Sequence, residues 1–258
     1  MFTRILQDEP LFTFTGLAML ALCIPTLLLM YADTRIFEGV NVWVKPLKFQ
    51  LSLALFLLTL AFFAHFLPEG MTKRVDYKIY AALVVVCIVA EIIWICGAAT
   101  FATASHFNTT PFMSAVYGLM GVAAVILLSA TLVYGIAMLR AGLSSPLIMS
   151  ISISLILTFV LTVIVAFRLA SNGSHFVGEM GTGKALMLTG WSMETGDLRV
   201  PHFFATHAMH FIPAVSLGIY IIAPTLLQHT TVIVISAFYI ALTWGTFAQA
   251  LAGRPFLS

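Results

Sequence analysis

Long apolar stretches separated by polar connections make up most of the chain. Seven such stretches cover residues 11–31, 46–67, 79–103, 113–139, 147–167, 201–223 and 229–252. Each is close to the ~20 residues that an α-helix rising ~1.5 Å per residue needs to cross ~30 Å of hydrocarbon. Because backbone amides cannot stay unpaired in lipid, and no stretch alternates like a barrel strand, the pattern predicts seven transmembrane helices. We therefore predict an all-α polytopic membrane protein in which residues 1–258 form a single seven-helix domain.

The composition agrees with a chain that is solvated mainly by lipid. Of its 258 residues, 61% are hydrophobic and 9% are charged, whereas about a quarter are charged in a soluble domain. The net charge of +2 comes from scattered basic residues, so we expect no nucleic-acid partner. Cys23, Cys87 and Cys96 all fall inside predicted spans without a CxxC pair, and we expect them to fill apolar space.

One face of the membrane carries nearly all of the elaborate connections. Residues 32–45, 104–112 and 168–200 join spans 1–2, 3–4 and 5–6, and so lie on the same face. The connection 168–200 is far longer than neighbouring helices require, and such loops are usually functional or disordered. Its mixture of aromatic, methionine and paired charged residues predicts an ordered loop that covers this face.

The orientation in the membrane is predicted from one basic turn. Residues 68–78 contain Lys73, Arg74 and Lys78 in a short connection, which is typical of a cytoplasmic anchor. A bare count of five basic residues on that side against seven on the other favours the opposite orientation. We give the turn more weight because the seven are interleaved with acidic residues, and we predict a cytoplasmic N-terminus.

Five of the seven histidines are expected near the elaborate face. His106, His175 and His202 lie at its edge, while His207 and His210 lie about 9 and 13 Å inside span 6. His207 and His210 are three residues apart and so share a helix face. Imidazoles from several segments are typical ligands of a transition metal ion or of haem b iron, so these five are the predicted metal ligands.

Three further residues are candidates for catalysis. Glu91 is the only acidic residue inside a span, about 18 Å from Ile79, and intramembrane ionisable residues usually mark functional pathways. We expect Glu91 to face His210 near the middle of the bilayer, directly or through water or a metal. Asp197 and Arg199 lie beside each other at the start of span 6, where the negative charge also suits the helix dipole.

A second set of residues at the same face could hold a cofactor. Lys45 and Lys48 are three residues apart at the start of span 2, and Arg168 and Trp191 flank or belong to the long loop. The lysines are candidates to bind a lipid headgroup, a carboxylate or a phosphate. They could equally be snorkelling anchors beside the interfacial Trp43.

Three motifs resemble those of a family of bacterial multi-spanning membrane proteins with no assigned activity. They are WVKPLKF at 43–49, SHFN at 105–108, and WSMETGDLRVPHF at 191–203 followed by His207. The resemblance implies a shared fold and site in the bacterial inner membrane, with His106, His175, His202 and His207 as its main candidates. His210 stands where the family commonly has glutamine.

The sequence favours one function and leaves two others open. The favoured interpretation is a membrane oxidoreductase or electron carrier, in which histidines hold a metal or haem that reacts with a quinone or another lipid-soluble substrate. The first alternative is a proton-coupled transporter, channel or sensor using Glu91 and His210. The second is a zinc-dependent lipid hydrolase, in which the metal lowers the pKa of bound water. Small residues in the spans also permit packing as a homo-oligomer or as an accessory subunit of a membrane complex.

Overall fold

The structure, a computed structural model, describes residues 2–108, 110–179, 181–187 and 189–257. Its helices are α1 (Phe2–Asp8), α2 (Pro10–Ala32), α3 (Val44–Phe63), α4 (Val75–Thr100), α5 (Pro111–Ala141), α6 (Pro146–Asn172), α7 (Arg199–Ile222) and α8 (His229–Leu251). Within the described residues, the seven from α2 to α8 are long and apolar enough to cross a membrane. The predicted all-α polytopic fold with seven spans is therefore confirmed.

Residues at the helix ends explain where several spans begin and stop. Helix α6 begins after Ser145, whose hydroxyl accepts a hydrogen bond from the amide of Ile148, and Pro146 occupies its first turn. The same helix ends at Gly173, which adopts the left-handed backbone conformation (φ 68°) that glycine tolerates best. Helix α2 likewise follows Glu9 and begins with proline.

The chain divides into two compact units, Met1–Ala130 and Thr131–Ser258. In the first unit, α2 packs against α3 and α4. Its core includes Leu57, Leu60, Val84 and Ile88. In the second unit, α6 packs against α7 and α8, with Leu155 and Ile212 among its fully buried side chains.

Each unit contains the same order of elements around its packed helices. In the first, α2 is followed by an antiparallel pair of short strands, β1 (Ile36–Phe37) and β2 (Val40–Asn41), and then by α3, 3₁₀ turns and α4. In the second, α6 is followed by the antiparallel pair β3 (Phe176–Val177) and β4 (Gly196–Asp197), and then by α7, a 3₁₀ turn and α8. The sequence did not predict these short strands.

The long loop predicted at 168–200 is ordered, as expected, where the structure describes it. Helix α6 takes up its first residues and α7 its last, so the connection spans residues 173–198. Besides β3 and β4, an isolated bridge joins Ala185 to Ser192. The Glu194 carboxylate accepts hydrogen bonds from the amide of Thr182 at 3.0 Å and from that of Gly183 at 2.9 Å.

Candidate functional sites

The first unit contains a polar cluster, here called the Lys45–Glu91 cluster, formed by Lys45, Glu91, Ser105, His106 and Tyr117. These residues come from the first turn of α3, the interior of α4, the connection after α4, and α5. The Lys45 ammonium and the Glu91 carboxyl interact electrostatically, as do Glu91 and Tyr117. The His106 ring lies 5.1 Å from the Tyr117 ring, centroid to centroid.

His106 is held in the cluster by defined hydrogen bonds. Lys45 Nζ lies 3.2 Å from His106 Nδ1, and Ser105 Oγ lies 3.0 Å from the same nitrogen. Because an ammonium group only donates, Nδ1 accepts and the ring proton belongs on Nε2. The indole of Trp94 donates to the backbone carbonyl of Ser105 at 2.9 Å, which fixes the segment that carries His106.

The backbone around His106 is locally strained. Ala102 and Phe107, on either side of it, have φ angles of 49° and 59°, which are uncommon for residues other than glycine. Such strain is found most often where structure serves a ligand or a reaction. The conformation turns the chain tightly between α4 and α5 and brings His106 to Lys45.

Glu91 is buried inside the first unit and lacks a full set of partners. It is 5% exposed, and its Oε2 accepts no hydrogen bond from the described residues. It lies nine residues before the end of α4 at Thr100, or about 13 Å along the helix axis. Gln50 in α3 is also buried, at 2% exposed, with no partner for its Oε1 among the described residues.

The second unit contains three histidines on α7, here called the histidine cluster: His202, His207 and His210. Nδ1 of His207 lies 3.1 Å from Nδ1 of His210, so the prediction that these two share a face is confirmed. His202 interacts electrostatically with His207. Its buried Nδ1 has no hydrogen-bond partner among the described residues.

Aromatic rings surround the histidine cluster. The Phe203 ring lies 4.3 Å from the His207 ring, and Phe211 lies 6.4 Å from it on the following turn. Phe211 in turn packs 6.0 Å from Tyr239 of α8. The imidazoles therefore sit in largely apolar surroundings, where a charged ring is costly to bury.

Asp197, which is buried, and Arg199, which is partly exposed, form an ion pair beside the long loop, as the sequence suggested. Asp197 is 1% exposed, and its Oδ2 lies 2.6 Å from Arg199 Nη2. The same carboxylate accepts from the amides of Ser192 and Arg199, each at 3.0 Å. Arg199 also donates to the carbonyl of Gly190 at 2.7 Å and lies over the Phe176 ring. The pair thus ties the loop to the start of α7.

A similar pair in the first unit involves Asp33 and Arg35, which sequence reasoning did not single out. Hydrogen bonds from Arg35 and then from the Trp43 indole lower the pKa of Asp33 well below its usual range. The Asp33 carboxylate in turn raises the pKa of Arg35. Arg35 also donates to the carbonyl of Thr100 at 2.9 Å, which joins the β1–β2 connection to the end of α4.

The remaining predicted site residues lie as follows. Lys48 is exposed in α3, and Arg168 is partly exposed in the last turns of α6. The carbonyl of His175 accepts a hydrogen bond from the amide of Leu198 at 2.9 Å, so His175 lies beside the start of α7. In the part of the chain that the structure describes, no three His, Cys, Asp or Glu side chains form a group arranged to hold a metal ion.

The predicted site residues are thus brought together within each unit. Lys45, Glu91 and His106 belong to the first unit, whereas His175, Trp191, His202, His207 and His210 belong to the second. The pairing of Glu91 with His210 stays a prediction. Sequence reasoning missed Tyr117 and Gln50, although a tyrosine early in span 4 and a glutamine inside span 2 were available as signals.

The fold and its apolar helices define an integral membrane protein of the all-α polytopic class. A comparison of the chain with family models, with curated proteins and with solved structures finds no match in any of the three.

Proposed function

We propose that the protein is a proton-coupled membrane transporter, channel or sensor in which Glu91 takes up and releases the proton. The observation that carries this proposal is the buried Glu91 carboxyl. Its Oε2 has no hydrogen-bond partner among the described residues, and the carboxyl interacts electrostatically with Lys45. An isolated ionised carboxylate is costly in such surroundings. The site is therefore suited to exchanging a proton rather than to holding a permanent charge.

Lys45 and His106 support this role because they offer two alternative arrangements. Lys45 donates to His106 Nδ1 while interacting through space with Glu38 and with Glu91. When Glu91 loses its proton, the flexible ammonium gains a competing partner, and its bond to His106 weakens. Proton release at Glu91 is thereby linked to a rearrangement at the membrane face, where His106 and Tyr117 meet.

The proposal is tested by measuring proton movement directly, without knowledge of a substrate. Purified protein is reconstituted in liposomes that contain a pH-sensitive dye, and a potassium gradient with valinomycin sets a membrane potential that drives protons inward. We expect proton flux from the wild type, loss of that flux in Glu91→Gln, and unchanged flux in Glu69→Gln, which alters an exposed carboxylate. Infrared difference spectra across a pH titration should show a protonated-carboxyl band that disappears in Glu91→Gln. A wild type without flux and without that band would contradict the proposal.

A second function is favoured by a separate observation, the apposed ring nitrogens of the histidine cluster. Two ring nitrogens 3.1 Å apart are close enough for both to bind one small metal ion. His207 and His210 would supply two ligands, and His202 has a buried Nδ1 that needs a partner. A transition metal ion held there would supply electron transfer to a quinone or another lipid-soluble substrate, whereas two ring nitrogens this close on one helix do not fit haem b. Zinc at the same histidines would instead support lipid hydrolysis.

Absorption spectra and metal analysis of detergent-purified protein test this second function. We expect bound iron or copper with visible absorption, lost in His207→Ala and in His210→Ala and retained in His229→Ala, which alters an exposed histidine. Stoichiometric zinc without visible absorption would support the hydrolase. Protein free of iron, copper and zinc after expression in metal-supplemented medium would contradict both the oxidoreductase and the hydrolase.

We also propose that the protein is located in the bacterial inner membrane, with its N-terminus in the cytoplasm. The basic turn with Lys73 and Arg74 between α3 and α4 supports this orientation. Alkaline phosphatase fused after residue 70 should be inactive, and the same enzyme fused after residue 175 should be active. The reverse pattern would invert the orientation.

A further inference from the structure

The two short sheets occupy equivalent places in their units. Arg35 is the third residue after the end of α2, and His175 is the third residue after the end of α6. The carbonyl of Arg35 accepts from the amide of Val42 at 3.2 Å, and that of His175 accepts from the amide of Leu198 at 2.9 Å. The same backbone bond therefore closes both connections.

The strand registers follow the same pattern. Ile36 pairs with Asn41 and Phe37 with Val40 in one unit, and Phe176 pairs with Asp197 and Val177 with Gly196 in the other. After each sheet, a side-chain oxygen accepts from the amide two residues further on: Asn41 Oδ1 from Trp43 at 2.9 Å, and Asp197 Oδ1 from Arg199 at 3.0 Å.

Both connections also pack on the last turn of a helix, which is α4 in the first unit and α8 in the second. Val42 and Trp43 contact Ala99, two residues before the residue that caps α4. Gly196 lies directly against the carbonyl of Ala250, two residues before the residue that caps α8. The two connections match except in the turn, where Glu38 and Gly39 suffice in the first unit and residues 178–195 take their place in the second. We call these eighteen residues the insertion.

The insertion is anchored over the start of α7. Its Trp191 packs 5.4 Å from the ring of Phe203 and 5.7 Å from that of Phe256. Phe203 in turn packs 4.3 Å from His207. The rings of Trp191 and Phe203 thus lie between His207 and the aqueous start of α7. Phe211, one turn further along α7, lies 6.4 Å from the His207 ring and 6.4 Å from that of Phe203, and it is 43% exposed.

We propose that the insertion is a cap added to a repeated helix–sheet–helix–helix motif, and that it seals His207 and His210 from water so that a lipid-soluble ligand reaches them from the bilayer. The two-residue turn of the first unit shows that the sheet closes without an insertion. The additional residues contribute Trp191, which packs on Phe203. His207 also contacts Phe211, whose ring is 43% exposed and within reach of lipid. The cap rests on the second proposed function in that it gives a lipid-soluble ligand access to the histidines, but it does not depend on a bound metal.

Chemical modification of histidine by diethyl pyrocarbonate in water tests the seal. Protein in liposomes is modified, digested and analysed by mass spectrometry, with exposed His229 as the internal reference. In Trp191→Ala, and in a variant whose residues 178–195 are replaced by Glu-Gly, we expect His207 to react at least about tenfold faster, as for a site released from local protection. Trp191→Phe should stay close to wild type because it retains a ring. Unchanged His207 reactivity in both opened variants, or an equal rise at His229, would overturn the cap.

A carbene-forming reagent that partitions into lipid tests the bilayer side. In the wild type we expect labelling of Phe211 and of His207, although His207 is protected from the water-soluble reagent. Labelling that reaches Phe211 but not His207 would overturn access from the bilayer. Since neither measurement involves a metal or a redox reaction, failure of the cap and failure of the second proposed function are distinguishable.

Discussion

Replacing Gly196 with alanine should strongly destabilise the second unit. A Cβ at this position would lie 2.0 Å from the carbonyl oxygen of Ala250 and 2.9 Å from its carbonyl carbon. Ordinary contact begins near 3.4 Å, so strand β4 would have to retreat by about 1.4 Å, the difference between 3.4 and 2.0 Å. Both opposing atoms are backbone, and no side chain can rotate away to make room.

The expected loss of stability in Gly196→Ala can be estimated from the contacts that the displacement of β4 disturbs. Overpacking alone costs about 1–3 kcal/mol. The displacement also strains the bond from the Leu198 amide to His175 and the two amide bonds to Asp197, each of which contributes about 1 kcal/mol net. We therefore expect a loss of at least about 3 kcal/mol, which corresponds to roughly 6–12 °C in melting temperature for a chain of this size.

The measurement is the apparent melting temperature in detergent. It is determined by heating samples and quantifying the remaining folded protein by fluorescence-detected size exclusion. Gly245→Ala in α8 is the matched control, because a Cβ there meets nothing within 4 Å. It should be neutral or stabilising by about 0.5–1 kcal/mol, as for glycine to alanine inside a helix. If Gly196→Ala melts together with Gly245→Ala, the close packing of β4 on α8 is refuted.

Three further changes have defined outcomes. Asp197→Ala removes the carboxylate that pairs with Arg199 and accepts from two backbone amides, and it should cost about 2–3 kcal/mol, at about 1 kcal/mol for each lost hydrogen bond; urea unfolding in detergent checks this, and a loss under about 1 kcal/mol would contradict it. Burial raises the pKa of Glu9, although the hydroxyl of Tyr77 donates to its carboxylate. Because the pKa of Glu9 is higher in the folded state than in the unfolded state, the protonated carboxyl contributes to the free energy of unfolding. This contribution is fully present below about pH 4.5 and is lost as the pH rises through the folded pKa. Glu9→Gln should therefore raise the melting temperature at pH 8 but not at pH 4, and equal shifts at both would refute this account. Ser145→Ala removes the cap of α6 and should cost about 1 kcal/mol, with Ser145→Asp close to wild type in the same melting assay.

The histidine cluster shows how far local sequence spacing could lead. His207 and His210 are three residues apart on a helix, so helical geometry alone brings their rings together, and the 3.1 Å contact confirms this. Asp197 and Arg199 are likewise close in sequence, and they pair. Each of these contacts depends on residues within one turn of helix or one tight turn of chain.

The Lys45–Glu91 cluster could not be predicted in the same way. Forty-six positions separate the two residues, and their encounter depends on how α3 and α4 rotate and pack. Counting residues from the predicted start of span 3 placed Glu91 near mid-bilayer, toward His210. That pairing stays a prediction, and inside the first unit Glu91 interacts with Lys45, which the sequence did not indicate.

The sequence by itself determined that seven helices form and roughly where each begins and ends, because hydrophobic length, proline, serine and glycine act locally on the backbone. It also indicated an ordered loop after span 5. Only the tertiary structure decided that this loop closes with the same register as the two-residue turn of the first unit, and that Trp191 lies on Phe203. Register and ring stacking depend on atoms far apart in the chain, and their energies appear only when the helices have packed.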